Sequence, residues 1–307
     1  MTTLLDGPGL TSVIDPDARL EQLADGFWFT EGPAWNPVEQ ALVFSDIPGD
    51  KRFRWSEAGG LELIAHPTLK GNGMAYEADG SLLVCEQVSS HLVRLTPDGH
   101  RDLVAFHYEG RYLNSPNDVV VSAKDGSIYF TDPNYGRWPG DFGCERACEL
   151  DFQGVFRVPP GGGDPQLVVD PDEFEQPNGL CFSPDESVMY VNDSPRTEVK
   201  AFDVAPDGRL VDGRVLIRGI GTGETGKGSP DGMECDELGN VWCSGGGGIW
   251  VITPEGERLG IVRIPEVCGS LAWGGPDRKD LFIMGSDKLY RLRTLVASAP
   301  LPMDGIL

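Results

Sequence analysis

One phrase recurs six times in this chain, and a chain built that way has few folds open to it. Each copy runs inner strand, tight turn, apolar run, second turn, third strand. The apolar runs are ALVFSDI (41–47), SLLVCEQ (81–87), SIYFTDP (127–133), SVMYVND (187–193), NVWCSGG (240–246) and DLFIMGS (280–286). Turn signals such as EADG, AKDG, SPDES and DELG precede most of them, and β-rich text such as RFRW, HLVRL, GVFRV and GIWVI follows. Short runs rich in β-branched and aromatic residues, punctuated by Gly, Asp and Pro, read as strands rather than helices. The central runs are apolar on both faces instead of alternating, so each expects cover on both sides. In an antiparallel chain, sheets packed face to face around an axis supply that cover. The expected fold is all-β: a six-bladed β-propeller.

The ring must also close. The sixth phrase ends near Arg293, and the tail TLVASAPLPMDGIL is poor outer-strand text. At the other end, ARLEQLADG (18–26) has no inner strand before it yet resembles the outer-strand text GLELIAHP (60–67). The N-terminal segment is therefore expected to supply the outer strand of the last blade, which also covers an open edge. Residues 1–307 then make a single domain, with 1–26 as arm and closing strand. The connection PNYGRWPGDFGCERACELDFQG (133–154) is much longer than its counterparts. It is expected to lie over the channel mouth as a lid, with Tyr135, Trp138 and Phe142 giving it an apolar underside.

Acidic residues outnumber basic ones 48 to 25 among 307 residues, a formal charge of −23. Such a surface disfavours nucleic acid and anionic lipid as partners. No apolar run approaches the roughly 18 residues that cross a bilayer, and the N-terminus lacks a basic segment followed by an apolar one. The chain has seven cysteines, and Cys85, Cys181, Cys235 and Cys243 sit in apolar strand text. A cytoplasmic location is the simplest setting for them. Cys144 and Cys148 share the long polar loop, where pairing stays an open question. The oligomeric state is not legible.

The starts of the inner strands align as EGPAW (31–35), NGMAY (72–76), NDVVV (117–121), NGLCF (178–182), DGMEC (231–235) and SLAW (270–273). One slot thus carries Glu31, Asn72, Asn117, Asn178, Asp231 and Ser270. Inner strands of a propeller line the central channel side by side, so equivalent positions form a ring about the axis. Asn-Gly and Asp-Gly are ordinary turn pairs, but the turns of these repeats are already supplied by ADG, KDG and PDG. A ring of oxygen donors with two carboxylates, Glu31 and Asp231, matches the charge of one divalent cation. All-oxygen ligation selects hard ions, Ca²⁺ first and then Mg²⁺ or Mn²⁺. No histidine or cysteine joins the ring, which argues against a structural zinc site, although exchange with Zn²⁺ in the test tube stays open.

Together EGPAWNP, NSPNDVVV, YFTDPNYG, QPNGLCFSPDE and SPDGMECDELGNVW resemble the gluconolactonase / senescence marker protein / luciferin-regenerating enzyme family, from about Phe27 to Arg293. The resemblance implies a six-bladed propeller with a divalent metal in its channel and hydrolysis of a lactone or related ester. It implies Glu31, Asn178 and Asp231 as metal ligands, Asn117 as a ligand or substrate contact, and Asp231 as general base. Phosphotriesterases like diisopropyl-fluorophosphatase share the architecture and a similar calcium site, so ester or phosphotriester hydrolysis is the alternative. Animal members acting on sugar lactones carry an arginine where this chain has Ser115, which removes that contact to a polyhydroxylated lactone.

A cation open to solvent in such a ring would polarise a lactone carbonyl and bind water, with carboxamides donating to developing charge. Asp231 is the first choice of base; Asp132, at the end of YFTD, is the reserve, with a plain strand-end role as its rival. Asn72, Asn117, Asp132, Tyr135 and Trp138 are the expected substrate contacts. A serine hydrolase is disfavoured, since G-x-S-x-G is absent and all four histidines fall outside the ring. A non-catalytic platform with a structural cation remains the rival from another class. The stretch GTGETGKG (221–228) fits the front of a phosphate loop, but Gly228 replaces the Ser or Thr that would hold Mg²⁺, and strand text follows instead of a helix. Lys227 is placed near the channel rim.

Overall fold

The structure, a computed structural model, describes residues 4–306. Six antiparallel sheets each run from an inner to an outer strand. The first blade comprises Thr30–Asn36, Ala41–Asp46, Lys51–Ser56 and Gly60–Ala65. The second begins at Gly71–Tyr76, the third at Val119–Val121, the fourth at Pro177–Phe182, the fifth at Met233–Cys235 and the sixth at Leu271–Gly274. This is the six-bladed propeller that the repeats demand.

The two-faced apolar runs are explained by where alternate side chains go. In the first blade Leu42 and Phe44 pack with Phe282 of the sixth, while Val43 packs with Met74 and Val84 of the second. In the second blade Leu83 and Cys85 face Phe130 and Phe156 of the third. Every second strand is thus the middle of a sandwich, and burial of each such side chain contributes roughly 1.5–3 kcal/mol.

Glu21–Asp25 pairs with Lys288–Arg293 and forms the outer strand of the sixth blade, as the N-terminal text implied. The chain start does more than this. Leu5–Asp6 pairs with Arg258–Arg263 and adds a fifth strand to the fifth blade. Between the two strands, Leu10, Val13 and Ile14 are buried beside Trp242, Trp273 and Leu292, in the seam of the last two blades. Residues 1–3 of the expected 1–26 arm lie outside the described residues.

The C-terminal tail turns inward instead of adding an outer strand. Leu295 N donates to Val13 O (2.8 Å) and Ala299 N to Cys235 O (2.9 Å). Residues 298–303 then line a cavity of about 110 Å³ at the far end of the channel, against Trp35, Tyr76 and Trp273. No helix among the described residues is long and apolar enough to cross a membrane.

Candidate active site in the axial channel

The ring slot is where each inner strand breaks its ladder. Pairing is irregular between Glu31 and Ala34, between Gly71 and Met74, and between Pro177 and Leu180. A bulge re-aims the side chain it carries, and here it turns Glu31, Asn72 and Asn178 toward the axis. In the third and fifth blades the regular strand starts two residues beyond Asn117 and Asp231. The glycines that follow most slot residues are not turn residues. A Cβ on Gly32 (φ +54) would lie 2.0 Å from Asn72 O, and one on Gly179 would lie 2.1 Å from Asp231 O. Neighbouring blades press backbone to backbone at the axis, and only glycine fits between them. Ser45 Oγ and Ser244 Oγ hold the next blade's carbonyls, at Asn72 O and Gly269 O, both at 3.1 Å.

Five of the six slot residues, Glu31, Asn72, Asn117, Asn178 and Asp231, line one cavity of about 400 Å³. Ser270 is buried beside Gly232 and stays out of the lining. Tyr135, Trp138, Pro139 and Phe142 of the long loop line the same cavity with Phe29 and Ile47. Phe142 meets Phe29 edge to face at 5.4 Å, which ties the loop of the third blade to the first across the mouth.

Glu31 is buried, while Asp231 keeps an opening to the cavity. Burial, then the Asp231 charge, holds the Glu31 carboxyl well above the usual range. Burial, then the Asp118 charge, does the same to Asp231, although the Asn178 amide opposes the shift. The proximity of the two carboxyls raises the pair's affinity for a proton. Gly32 N donates to Glu31 Oε2 (2.9 Å), and Asn178 Nδ2 donates to Ser194 Oγ (3.1 Å). Among the described residues no lysine, arginine or histidine lines the cavity. Two carboxyls driven together without a basic partner are costly, and a bound divalent cation would remove that cost. The donor set is oxygen throughout, so it fits a hard cation at Glu31, Asn117, Asn178 and Asp231.

Asp132 stands apart from this cluster. It is fully buried, does not line the cavity and accepts from Asn114 N at 2.8 Å. Burial pushes its carboxyl up to about 7. Asp46 receives Phe29 N (3.1 Å) and Asp193 receives Glu175 N (2.7 Å) in the same way. In these three blades an acid at the end of the second strand clamps the loop that enters the inner strand, so the placement of Asp132 is that of a strand-end residue. Ser115 is likewise buried and structural: its Oγ donates to Pro133 O (2.8 Å) and accepts from Gly136 N (3.0 Å), pinning the long loop. Cys144 and Cys148 are both free. Lys227 leaves the channel for an outer depression with Thr225, Arg263 and Glu266. The glycine-rich loop instead delivers Ser229 to the cavity.

Several lining residues were not anticipated. Ile47, Gln87 and Ser194 all line the cavity, and all directly follow the acid that ends the second strand: SDI, CEQ, NDS. That shared slot was a readable signal, hidden because its chemistry changes from blade to blade. Asp118 was also missed. It is the one slot neighbour that replaces glycine with an acid, in PND, and its Oδ1 accepts from Val119 N (2.9 Å). Burial pushes its carboxyl up to about 7.

Fold and site together define a six-bladed propeller with an oxygen-lined, lidded pocket on its axis. The chain belongs to the SMP-30/gluconolactonase/LRE-like family, whose model matches residues 29–286. A gluconolactonase of Zymomonas mobilis is 32% identical over 94% of this chain and 84% of its own. A pentonolactonase of Haloferax volcanii is 28% identical over 89% of this chain and 84% of its own. The solved structure of a gluconolactonase from Xanthomonas campestris superposes with a TM-score of 0.85, at 34% identity over 94% of each chain.

Proposed function

We propose that this protein is a lactonase that opens a cyclic ester to a hydroxy acid, at a divalent cation held by Glu31, Asn178 and Asp231 with Asn117. The class, a carboxylic ester hydrolase, is supported by the three lactone-opening relatives. The observation that carries the site is the Glu31–Asp231 carboxyl pair, Glu31 buried and Asp231 open to the cavity, closed in by carboxamides and facing no basic side chain among the described residues.

When bound there, the cation supplies a Lewis acid for the carbonyl oxygen and acidifies water. Asp231, the pair member open to the cavity, takes the proton of the attacking water. Asn117 and Asn72 present amide groups from adjacent blades toward the carbon under attack, where they stabilise developing negative charge. The ring C–O bond then breaks, and the departing alkoxide takes the proton from Asp231. Tyr135, Trp138 and Phe142 exclude bulk solvent from above. Ca²⁺ suits the donor set best, ahead of Mg²⁺, Mn²⁺ or Zn²⁺.

The test is a panel of lactones, aryl esters and a phosphotriester, assayed before and after chelation and after return of each cation. Lactone turnover that chelation abolishes and Ca²⁺ restores is the expected result. Turnover indifferent to chelator would remove the cation from the mechanism. Binding of Ca²⁺ without turnover of any substrate would leave a platform with a structural ion.

A further inference from the structure

The channel holds a second cavity that lactone opening does not use. This is the space of about 110 Å³ at the far end, and it shares no lining residue with the active pocket. Ala34, Ala75, Val120, Cys181, Glu234 and Ala272 each pair with the same position of their blade's second strand, so they form one level of the channel. All six line this cavity. Five of them are small or apolar, and the sixth is a carboxylate.

Glu234 is only partly buried, and its carboxyl keeps surface open to the cavity. No side chain among the described residues pairs with it, and only the Cys235 N–H supports its charge. Burial, then the Asp118 charge, pushes the carboxyl up to about 8. Among the described residues no lysine, arginine or histidine lines this cavity. The other acid on the wall, Glu186, is already engaged: its oxygens accept from Ser122 Oγ (2.7 Å) and Ala123 N (2.6 Å). An acid set in an apolar ring without a basic partner is costly, and a cation in the cavity would offset that cost.

The walls select the kind of cation. Trp35, Tyr76, Phe182 and Trp273 line the same cavity. Aromatic faces attract a cation that has shed its water, and quaternary ammonium ions shed it most readily. A hard metal ion takes six or more oxygen ligands, whereas Glu234 stands among alanine, valine and cysteine. A primary ammonium brings three N–H donors that need acceptors. Ser183 Oγ already donates to Asp185 (2.8 Å) and accepts from Val188 N (3.0 Å), and Ser298 Oγ is shielded. A quaternary ammonium brings no donors to satisfy. The tail completes the enclosure: Ala299 N donates to Cys235 O (2.9 Å), and Leu301 N donates to Asp304 Oδ2 (2.8 Å), which also pairs with Arg278.

We propose that the far cavity is a second binding site that takes a small quaternary ammonium ion, with Glu234 as its counter-ion and the four aromatic side chains as its walls. The inference goes beyond the lactonase reading and does not depend on it.

The experiment titrates choline and its uncharged isostere 3,3-dimethylbutan-1-ol by calorimetry into wild type, Glu234→Gln and Glu31→Gln. Wild type is expected to bind one choline per chain, and the isostere about 10-fold more weakly. Glu234→Gln should weaken choline about 10-fold or more and leave the isostere within about twofold. Glu31→Gln should leave choline within about twofold. Choline should also raise the melting temperature of wild type more than the isostere does at equal concentration, which needs no variant. Equal binding of choline and isostere, or no binding of choline to wild type, overturns the proposal. Loss of choline in Glu31→Gln but not in Glu234→Gln places the cation in the active pocket and also overturns it. A second equivalent of Ca²⁺ that Glu234→Gln removes, without choline binding, assigns the cavity to a metal ion and overturns it as well.

Discussion

Asp231→Asn tests the charge economy of the channel most sharply. The substitution keeps the shape of the side chain and removes one of two neighbouring carboxyls in the channel. In the cation-free protein both carboxyls sit well above their ordinary range, so the native pair retains protons that the unfolded chain has released. The sign follows directly. Stability is greatest below the ordinary carboxyl range near pH 4 and falls as pH rises through the raised values. Each retained proton costs about 1.4 kcal/mol per pH unit. Asp231→Asn removes one ionisable partner and the Coulombic lift on Glu31, so most of this slope should vanish. In chelator at pH 8 the variant should melt higher by several degrees, at about 2–4 °C per kcal/mol for a domain of this size. The gain on adding Ca²⁺ should be large for wild type and slight for the variant, and lactone turnover should drop by at least about 100-fold. Calorimetric melts across pH 5–8, with and without chelator, read the first part; initial rates read the second. A folded Asp231→Asn protein that melts lower than wild type in chelator at pH 8 would refute the charge argument. One that binds the cation and turns over near the wild-type rate would remove Asp231 as the base.

Other perturbations separate structural from chemical roles. Asp132→Ala should lower stability by roughly 1–3 kcal/mol through the lost clamp on Asn114 N, while kcat/KM stays within a few-fold; a loss of about 100-fold or more in a folded variant would restore Asp132 as a base. Deleting residues 1–26 strips the outer strand of the sixth blade and the buried Leu10, Val13 and Ile14. Those three side chains alone account for roughly 5–9 kcal/mol, comparable to the whole stability of a domain, so the truncated chain should not fold in soluble form, and a cooperative melt from it would contradict the closure.

The slot residues were readable because a repeat fixes equivalence: once six copies align, Glu31, Asn117, Asn178 and Asp231 must share one level of the channel. Their geometry was not readable. Bulges at Glu31, Asn72 and Asn178 aim the donors inward, and a bulge leaves no mark in composition. The glycines after the slot looked like turn residues, because local propensity is blind to a carbonyl approaching from another blade. Asp132 and Asp231 look alike as isolated acids. One faces backbone N–H groups and the other faces the cavity, a difference made by strands far apart in sequence.

By itself, the sequence determined the all-β ring of six blades, the strand that closes it, the level of the axis where oxygen donors collect and the loop that covers them. Each of these is periodic or local, and periodicity survives in a one-dimensional string. Only the tertiary structure decided which side chains meet. It added Leu5–Asp6 to the fifth blade, turned the tail into the far end of the channel, set Glu234 among the small apolar residues there and left Glu31 and Asp231 sharing a pocket without a basic residue. Those contacts join residues from separate blades, and their energies depend on burial and distance, which exist only once the ring has closed.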